Sequence, residues 1–439
     1  MKIRGERMKK TNGRWLVVVL LFIATTVNYM DRAILGIAGP SMMKDLSLST
    51  VQFGILGSAF FWSYALMQIP VGMIVDKLGA RLTYSIAIVW WSLCTVFTGL
   101  GRSIGTLIGI RVLMGIGEAP AFPTNTRVIS DWLPANERGV ANGIFNSGTA
   151  IGIGITTPVL AWIIEKWGWQ AAFVVIGSIG FIWLAFWLFF FRNQPSQSAI
   201  ANKAEVDYIA AGQTETKSEL AIKISPIKFL RYRNVWPMLY GLFAHNYLIY
   251  LMMTWLPTYL VVERHMTLLK AGFFTMLPWI MSFLGNILGG ILSDWLIRRG
   301  WNSIKARKTI LAIGMLFPLF IIPTIFTKDA MTALIFISIA IGGEGLAAGI
   351  LWATVSDVAP IGAEGKLAGL QNFVGNLAGW LAPVVTGLLI SQFKNFTIAL
   401  IIPIVICAIA SLAYTFIIKN QRISFHEEKT EEKNVATGM

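Results

Sequence analysis

Apolar residues along this chain come in blocks of about 20, separated by short polar joints. At 1.5 Å rise per residue a helix of that length matches the ~30 Å hydrocarbon layer of a bilayer. The pattern predicts twelve spans, at residues 15–38, 51–75, 82–100, 104–127, 139–165, 170–192, 235–261, 272–297, 308–327, 331–355, 364–391 and 396–419. Backbone polar groups in lipid must be satisfied within the segment, so the spans are read as helices. A β-barrel would show alternating segments of about ten residues instead. The expected fold is an all-α polytopic membrane protein with 12 transmembrane helices in two six-helix pseudo-symmetric bundles. Its parts are an N-terminus (1–14), a first bundle (15–192), a polar linker (193–234) with some helix near 204–211, a second bundle (235–419) and a disordered tail (420–439).

Composition agrees with that pattern. The 439 residues are 55% hydrophobic and only 13% charged, against about 25% charged in soluble domains. The net charge of +14 invites a nucleic-acid reading, but its distribution does not. With the N-terminus inside, the inner segments hold 27 of the 36 Lys and Arg, the outer segments 7, and Arg32 and Arg111 fall within spans. That asymmetry puts both termini and the linker in the cytoplasm. Cys94 and Cys407 both lie in apolar blocks, which argues against a disulfide framework or a zinc site. The basic start runs into a long first span without a clear cleavage site, so no cleaved signal peptide is expected.

The two halves echo each other. Gly72-x3-Asp76 recurs as Gly290-x3-Asp294, Gly115-Ile-Gly-Glu118 as Gly342-Gly-Glu344-Gly, and Gly143-Ile-Phe-Asn146 as Gly369-Leu-Gln-Asn372, at spacings of 218–226 residues. Parallel repeats of this kind place a substrate site at their interface, near the bilayer midplane.

The loop Gly72/Asp76/Gly79/Arg81 and its echo resemble the signature loop of the major facilitator superfamily. Four segments resemble its anion:cation symporter family: Asn28-Tyr-Met-Asp31-Arg32, Arg111-x3-Gly115-Ile-Gly-Glu118-Ala-Pro120, Trp132-Leu-Pro-x2-Glu137-Arg138-Gly139 with Gly143-Ile-Phe-Asn146-Ser-Gly148, and Thr254-Trp-Leu-Pro257-Thr-Tyr-Leu260. The likeness spans about residues 13–420 and is nearest to bacterial galactonate, glucarate and hexuronate permeases. It implies proton-coupled uptake of an organic anion by alternating access.

Charges within a membrane cost roughly 2.5–3.5 kcal/mol each on insertion scales, so Asp31, Arg32, Arg111, Glu118 and Glu344 need a reason. Asn28, Asp31 and Arg32 share a helix face at i, i+3 and i+4. A guanidinium fits a carboxylate with two parallel bonds, so Arg32 is the expected grip on a substrate carboxylate. The resemblance supports that role and sets Tyr29 and Tyr64 beside it. Adjacent residues point about 100° apart on a helix, which makes an Asp31–Arg32 ion pair poor. Arg111 and Glu118 stand two turns apart and need a mediator. The resemblance couples the matching pair to proton movement. Desolvation favours the protonated form of a buried carboxylate and a nearby arginine the ionised form, a switch open to Glu118 and equally to Asp31; the structural alternative for Glu118 is a packing carboxylate held by backbone donors. Glu344 has Ile337 where Glu118 has Arg111, so its structural and functional readings stay level.

Among the remaining polar residues, His245 reads equally as a satisfied histidine or as a contact to a substrate hydroxyl or proton. Asn376 offers the donors and acceptors a polyhydroxy acid needs, whereas Asn146 and Asn372 read as glue between helices. Trp352 and Thr354 line the same candidate region; Trp352 reads equally as an interfacial tryptophan. Gly148, Gly152 and Gly154 lie mid-span with no following Lys-Ser/Thr, so they suit close helix packing and not phosphate binding. Asp76, Arg81 and Asp294 are read as gating residues whose charge pairs break and re-form as the halves rock.

No metal cluster, nucleophile elbow or sizeable soluble domain is evident, so an enzyme or receptor is not expected, and no cofactor beyond protons as coupling ion. The expectation is a monomeric, multi-pass transporter of the bacterial inner membrane, with a small organic anion and the lipid bilayer as its partners and no nucleic acid. The competing readings are a drug or organic-ion exporter of the same superfamily and an anion exchanger. An organic-cation exporter would favour an acidic aromatic cavity without buried arginines.

Overall fold

The computed structural model describes residues 10–212, 226–360 and 363–423, and all regular structure among them is helical. Of the expected disordered tail, residues 420–423 are described and are held in place, with Asn234 donating to the Gln421 carbonyl at 3.1 Å and Ile423 to the Val358 carbonyl at 2.9 Å; the rest of the tail and most of the basic N-terminus lie outside the described residues. In chain order the helices are α1 (Gly13–Asp45), α2 (Thr50–Leu100), α3 (Ile104–Glu118), α4 (Ala121–Trp132), α5 (Arg138–Phe190), α6 (Lys203–Ala211), α7 (Val235–Thr258), α8 (Leu268–Arg298), α9 (Ser303–Gly314), α10 (Ile322–Phe326), α11 (Ala330–Val358), α12 (Glu364–Phe393) and α13 (Thr397–Phe416). By length and composition, nine helices among the described residues are long and apolar enough to cross a membrane.

The helices α2 and α5 run to 51 and 53 residues. A straight helix of that length would reach roughly 75–80 Å, over twice the hydrocarbon thickness. Each is broken by one glycine in the left-handed half of backbone space, Gly79 (φ 75°) and Gly168 (φ 81°), which no L side chain adopts easily. The joints expected before residues 82 and 170 are therefore single-glycine turns, not loops. Pro120, with no N–H to donate, separates α3 from α4 within one expected span. A 3-10 segment, Phe317–Ile321, opens on Pro318 and divides α9 from α10 within another. Side-chain caps set several starts: Ser49 and Gln52 form a capping box on α2, and Ser103, Thr267, Asn302 and Asp329 each cap the helix that follows.

Within the first half α1 packs along α5, and within the second α8 packs along α11. The two halves meet through α2 on α12, α5 on α8 and α1 on α7. These contacts gather at the end of the molecule where α1 finishes. There Thr50 donates to the Gly387 carbonyl at 3.0 Å, and a Cβ built on Gly54 would lie 2.5 Å from the Pro383 carbonyl. At the other, more basic end, Gly139 and Gly143 opening α5 and Gly365 and Gly369 opening α12 face open space. The halves thus touch where α1 finishes, while these helix starts face open space at the basic end. Gly148 and Gly152 let α5 approach α1, as small mid-span residues should; a Cβ on Gly152 would lie 2.5 Å from the Thr26 carbonyl and 2.9 Å from Tyr29 Cβ.

The linker begins with Pro195–Gln197 and α6, close to the helix expected near 204–211. It is fastened to the first half by charge. Glu205 is fully buried and accepts from the Gly13 and Arg14 amides and from the Arg14 guanidinium at 2.8 Å. Arg14 reaches Glu137 at 2.7 Å, and Tyr208 donates to Glu137 at 2.8 Å.

Candidate functional site

Glu118 is the last residue of α3, immediately before the interruption at Pro120. Its carboxylate faces α1 and is fully shut from solvent. Nε of Arg32 donates to Glu118 Oε2 at 2.9 Å, and Nη2 lies 2.9 Å from the same oxygen. The guanidinium carbon sits 5.0 Å from the Tyr29 ring centre and 4.8 Å from those of Phe60 and Tyr64, a three-sided aromatic collar. Such faces attract a cation while stripping its water.

Glu118 was expected to need a mediator from elsewhere, standing two turns from Arg111 on its own helix. The structure supplies Arg32 from another helix as its partner, rather than backbone donors. Asp31 makes no pair with Arg32; both its oxygens are buried without a hydrogen-bond partner, and so are the two amide atoms of Asn28. Arg111 is also buried. Its Nη1 contacts Met114 Sδ at 3.5 Å, its carbon lies 5.8 Å from the Phe173 ring centre, and Nε and Nη2 have no partner. Two carboxylates and two guanidiniums thus share a dry region of the first half with one ion pair made and two charges unmatched. An unmatched buried charge is expensive, so the cluster has a strong electrostatic reason to exchange partners, take up a proton or take up a ligand.

The second half contributes Tyr250, whose hydroxyl donates to Asn376 Oδ1 at 3.1 Å. Asn376 Nδ2 donates to Asn372 Oδ1 at 2.9 Å. The Tyr250 ring lies 4.3 Å from Phe61 of α2, which brings the Asn376 group against the helix that carries Phe60 and Tyr64. Neither Phe60 nor Tyr250 stood among the expected site residues. Phe60 had a signal, since it lies at i−4 from Tyr64 on one helix face. Asn146 is exposed and bonds within α5 at the Asn142 carbonyl, so Asn146 and Asn372 do not glue helices together. Thr354 is buried and donates to the Ile350 carbonyl of its own helix, while Trp352 is 45% exposed. His245 Nδ1 lies 2.5 Å from Glu344 Oε1, which ties the two residues of open role to each other.

At the basic end, Arg127 rather than Arg81 is the partner of Asp76, at 3.2 Å, and it also holds Asp131 at 2.8 Å. Arg81 is engaged with the first half's own backbone: Asn193 Oδ1 accepts its amide at 2.8 Å, and its guanidinium donates to the Leu188 carbonyl at 2.7 Å. Asp294 is exposed. In the second half Arg307, which follows Arg81 by 226 residues, holds Asp357 at 2.9 Å. A cavity of about 370 Å³ at the basic end is lined by Asp76, Arg127, Asp131, Asn193 and residues of α6. It is separate from the Arg32 cluster.

Residues 21–383 match the Major Facilitator Superfamily. The chain belongs to this superfamily. It is a multi-pass membrane transporter and not an enzyme. Among curated superfamily members it is 37% identical to the probable galactarate/D-glucarate transporter GudP of Escherichia coli (strain K12), over 93% of this chain and 94% of that one. It is 36% identical to the D-galactonate transporter of Escherichia coli O6:H1, over 95% and 98%. At 32% it is similar to a probable sulfoacetate transporter, SauU, of Cupriavidus necator, over 97% and 98%. Among solved structures of the fold, an inward-facing bacterial homolog of the human lysosomal transporter Spinster superposes with a TM-score of 0.76 at 18% identity, over 94% and 99% of the chains. The D-xylose–proton symporter superposes with a TM-score of 0.74 at 15% identity, over 93% and 99%.

Proposed function

We propose that this transporter imports a sugar acid (a hexonate, hexarate or hexuronate) together with protons across the bacterial inner membrane. The observation that carries the reading is the buried Arg32–Glu118 ion pair beside unmatched Asp31 and Arg111. The twelve crossings form two six-helix halves, counting each limb of α2 and α5 separately, with both termini cytoplasmic. The protein works as a monomer. The names of the similar transporters support the substrate class, and the bias of Lys and Arg toward the basic end supports its cytoplasmic placement.

The guanidinium of Arg32 can serve one carboxylate fully. A proton on Glu118 breaks the internal pair and frees the planar fork for the carboxylate of the substrate. The collar of Tyr29, Phe60 and Tyr64 keeps the cation in place meanwhile, and the two tyrosine hydroxyls suit sugar hydroxyls. Tyr250 and Asn376 offer further hydroxyl and amide contacts from the opposite half. After the halves rock, loss of the proton to the cytoplasm lets Glu118 reclaim Arg32 and displace the substrate. Asp31 offers a second carboxylate for a proton, since protonation removes a charge that has no partner. Arg111 is the cation against which either carboxylate can be stabilised in another state. Asp76 with Arg127 and Asp131, and Arg307 with Asp357, gate the cytoplasmic side.

Uptake into liposomes tests this, with purified protein, an inward proton gradient and a panel of labelled sugar acids. Accumulation of one acid that a protonophore abolishes supports the reading. Exchange without accumulation would make the protein an anion exchanger, and movement of an organic cation instead would leave the arginines a structural role.

A further inference from the structure

Glu118 and Glu344 stand 226 residues apart at equivalent positions of the two halves, and both are fully buried. Their counterions differ in kind. Glu118 meets an arginine, which carries its charge permanently. Glu344 of α11 meets His245 of α7, at 2.5 Å between Oε1 and Nδ1. The position matching Arg111 is Ile337, so no guanidinium is available from the same helix.

Among the described residues, no lysine or arginine pairs with Glu344. Around it α8 presents Met281 and Ser282 to Gly342 and Gly345, and Phe317 of the 3-10 segment covers Gly343. From α9, Gly314 closes on Gly343 and Ala347. The facing ionisable groups are His245 on α7 and Cys407 on α13, whose thiol contacts the Ala244 carbonyl at 3.7 Å. Glu344 Oε2 has no hydrogen-bond partner. The His245 side chain is 15% exposed, so it stands between the sealed carboxylate and the wetter side of α7.

With one proton between them the two residues are jointly neutral, whichever atom holds it. With none, they bury a single negative charge that no cation among the described residues offsets, which is costly in a low-dielectric interior. A titratable partner therefore makes a proton carrier of a geometry that an arginine would have turned into a fixed ion pair.

We propose that His245 and Glu344 form a second proton-binding site, in the C-terminal half, which loads and releases a proton in each transport cycle in addition to the carboxylates of the N-terminal half. This rests on the proton-coupled reading above. Proton-to-substrate stoichiometry tests it, measured in liposomes as the gradient of labelled D-galactonate or D-glucarate that just balances an imposed pH gradient at zero voltage. Loss of one coupled proton lowers the limiting accumulation about tenfold per pH unit imposed. Glu344→Gln and His245→Gln are expected to show that tenfold drop in the balance point, and Glu344→Asp to regain the wild-type limit. An unchanged limit in the two Gln variants overturns the proposal and leaves proton coupling through Glu118 intact. A wild-type protein with no balance point overturns both readings.

Should the variants fail to fold, the wild-type protein labelled at its three histidines decides by imidazole NMR. The His245 resonances are expected to shift when pH is varied across the range of the transport assay, since the imidazole shares the loaded proton. Resonances that stay fixed across that range overturn the proposal.

Discussion

The Arg32 guanidinium and the Glu118 carboxylate meet at 2.9 Å, from residues 86 apart in the chain. One ion pair thus joins the residue expected to grip a substrate and the residue expected to carry a proton. Competition between two carboxylates for one guanidinium then needs no relay over distance to couple the two events.

Arg32→Ala is expected to abolish measurable substrate binding. Arg32→Lys keeps the charge but loses the planar fork; at about 1.5–3 kcal/mol for charge-assisted bonds, affinity should fall about 10–100-fold. Isothermal titration of the purified protein reads both. Unchanged affinity in Arg32→Ala would remove this residue from the binding site.

Glu118→Gln mimics a permanently protonated carboxyl. It should still exchange labelled for unlabelled substrate, while the accumulation that a given pH gradient supports falls about tenfold per pH unit. Full accumulation in this variant would take Glu118 off the proton path.

Glu205→Ala leaves Arg14 with Glu137 as its one carboxylate partner among the described residues and removes the acceptor for the Gly13 and Arg14 amides. Breaking a buried ion pair costs about 3–5 kcal/mol. The expected result is a clear fall in the thermal midpoint and faster proteolysis of the linker. A double-mutant cycle with Arg14→Ala, showing no coupling energy, would mean that the fastening is incidental.

The bond from the Arg14 guanidinium, with that from Tyr208, holds the Glu137 carboxyl below its usual range. A depressed carboxylate stabilises the folded state above its unfolded value, about 4.3, and loses that contribution as pH falls through the folded value. Protection of the linker against a protease active in acid should therefore be constant near neutrality and decline below about pH 4. Glu137→Gln should remove this pH dependence. A wild-type profile that is flat through the acid range contradicts the assignment.

A Cβ on Gly387 would lie 2.4 Å from the Thr50 carbonyl, where α12 meets α2 at the closed end. Gly387→Val should wedge that end apart. Cys94 and Cys407 are buried, so a cysteine introduced at buried Thr254 reports with little background. Its labelling by a water-soluble maleimide is expected to rise several-fold in the Gly387→Val background. No increase would mean that the closed end yields without opening.

Much of the fold was legible because a bilayer imposes simple arithmetic. Block length showed that the chain crosses a membrane repeatedly, and the spacings of 218–226 residues suggested a duplication. The turn at Gly79 lay within a recognisable loop, but that α2 and α5 would turn on a single glycine followed from no periodicity. The break at Pro120 was written in the residue itself and still fell inside an expected span. The neighbours of Arg32 on its own face, Asn28 and Tyr29, were legible from helical spacing, and Tyr64 from family likeness. The partner of Arg32 was not, because it comes from another helix.

The sequence by itself determined that the chain crosses a membrane repeatedly, that buried charges gather in the first half, and that Glu344 mirrors Glu118 with a different local context. Helical periodicity carries such information because it fixes which residues share a face. Only the tertiary structure decided the partners: Arg32 with Glu118, His245 with Glu344, Asp76 with Arg127, Arg14 with Glu205. The physical reason is that faces do not specify neighbours. Which helix lies across from a given face, and at what height, is set by close packing at residues such as Gly152, and a shift of one helical turn would have given each charge a different counterion.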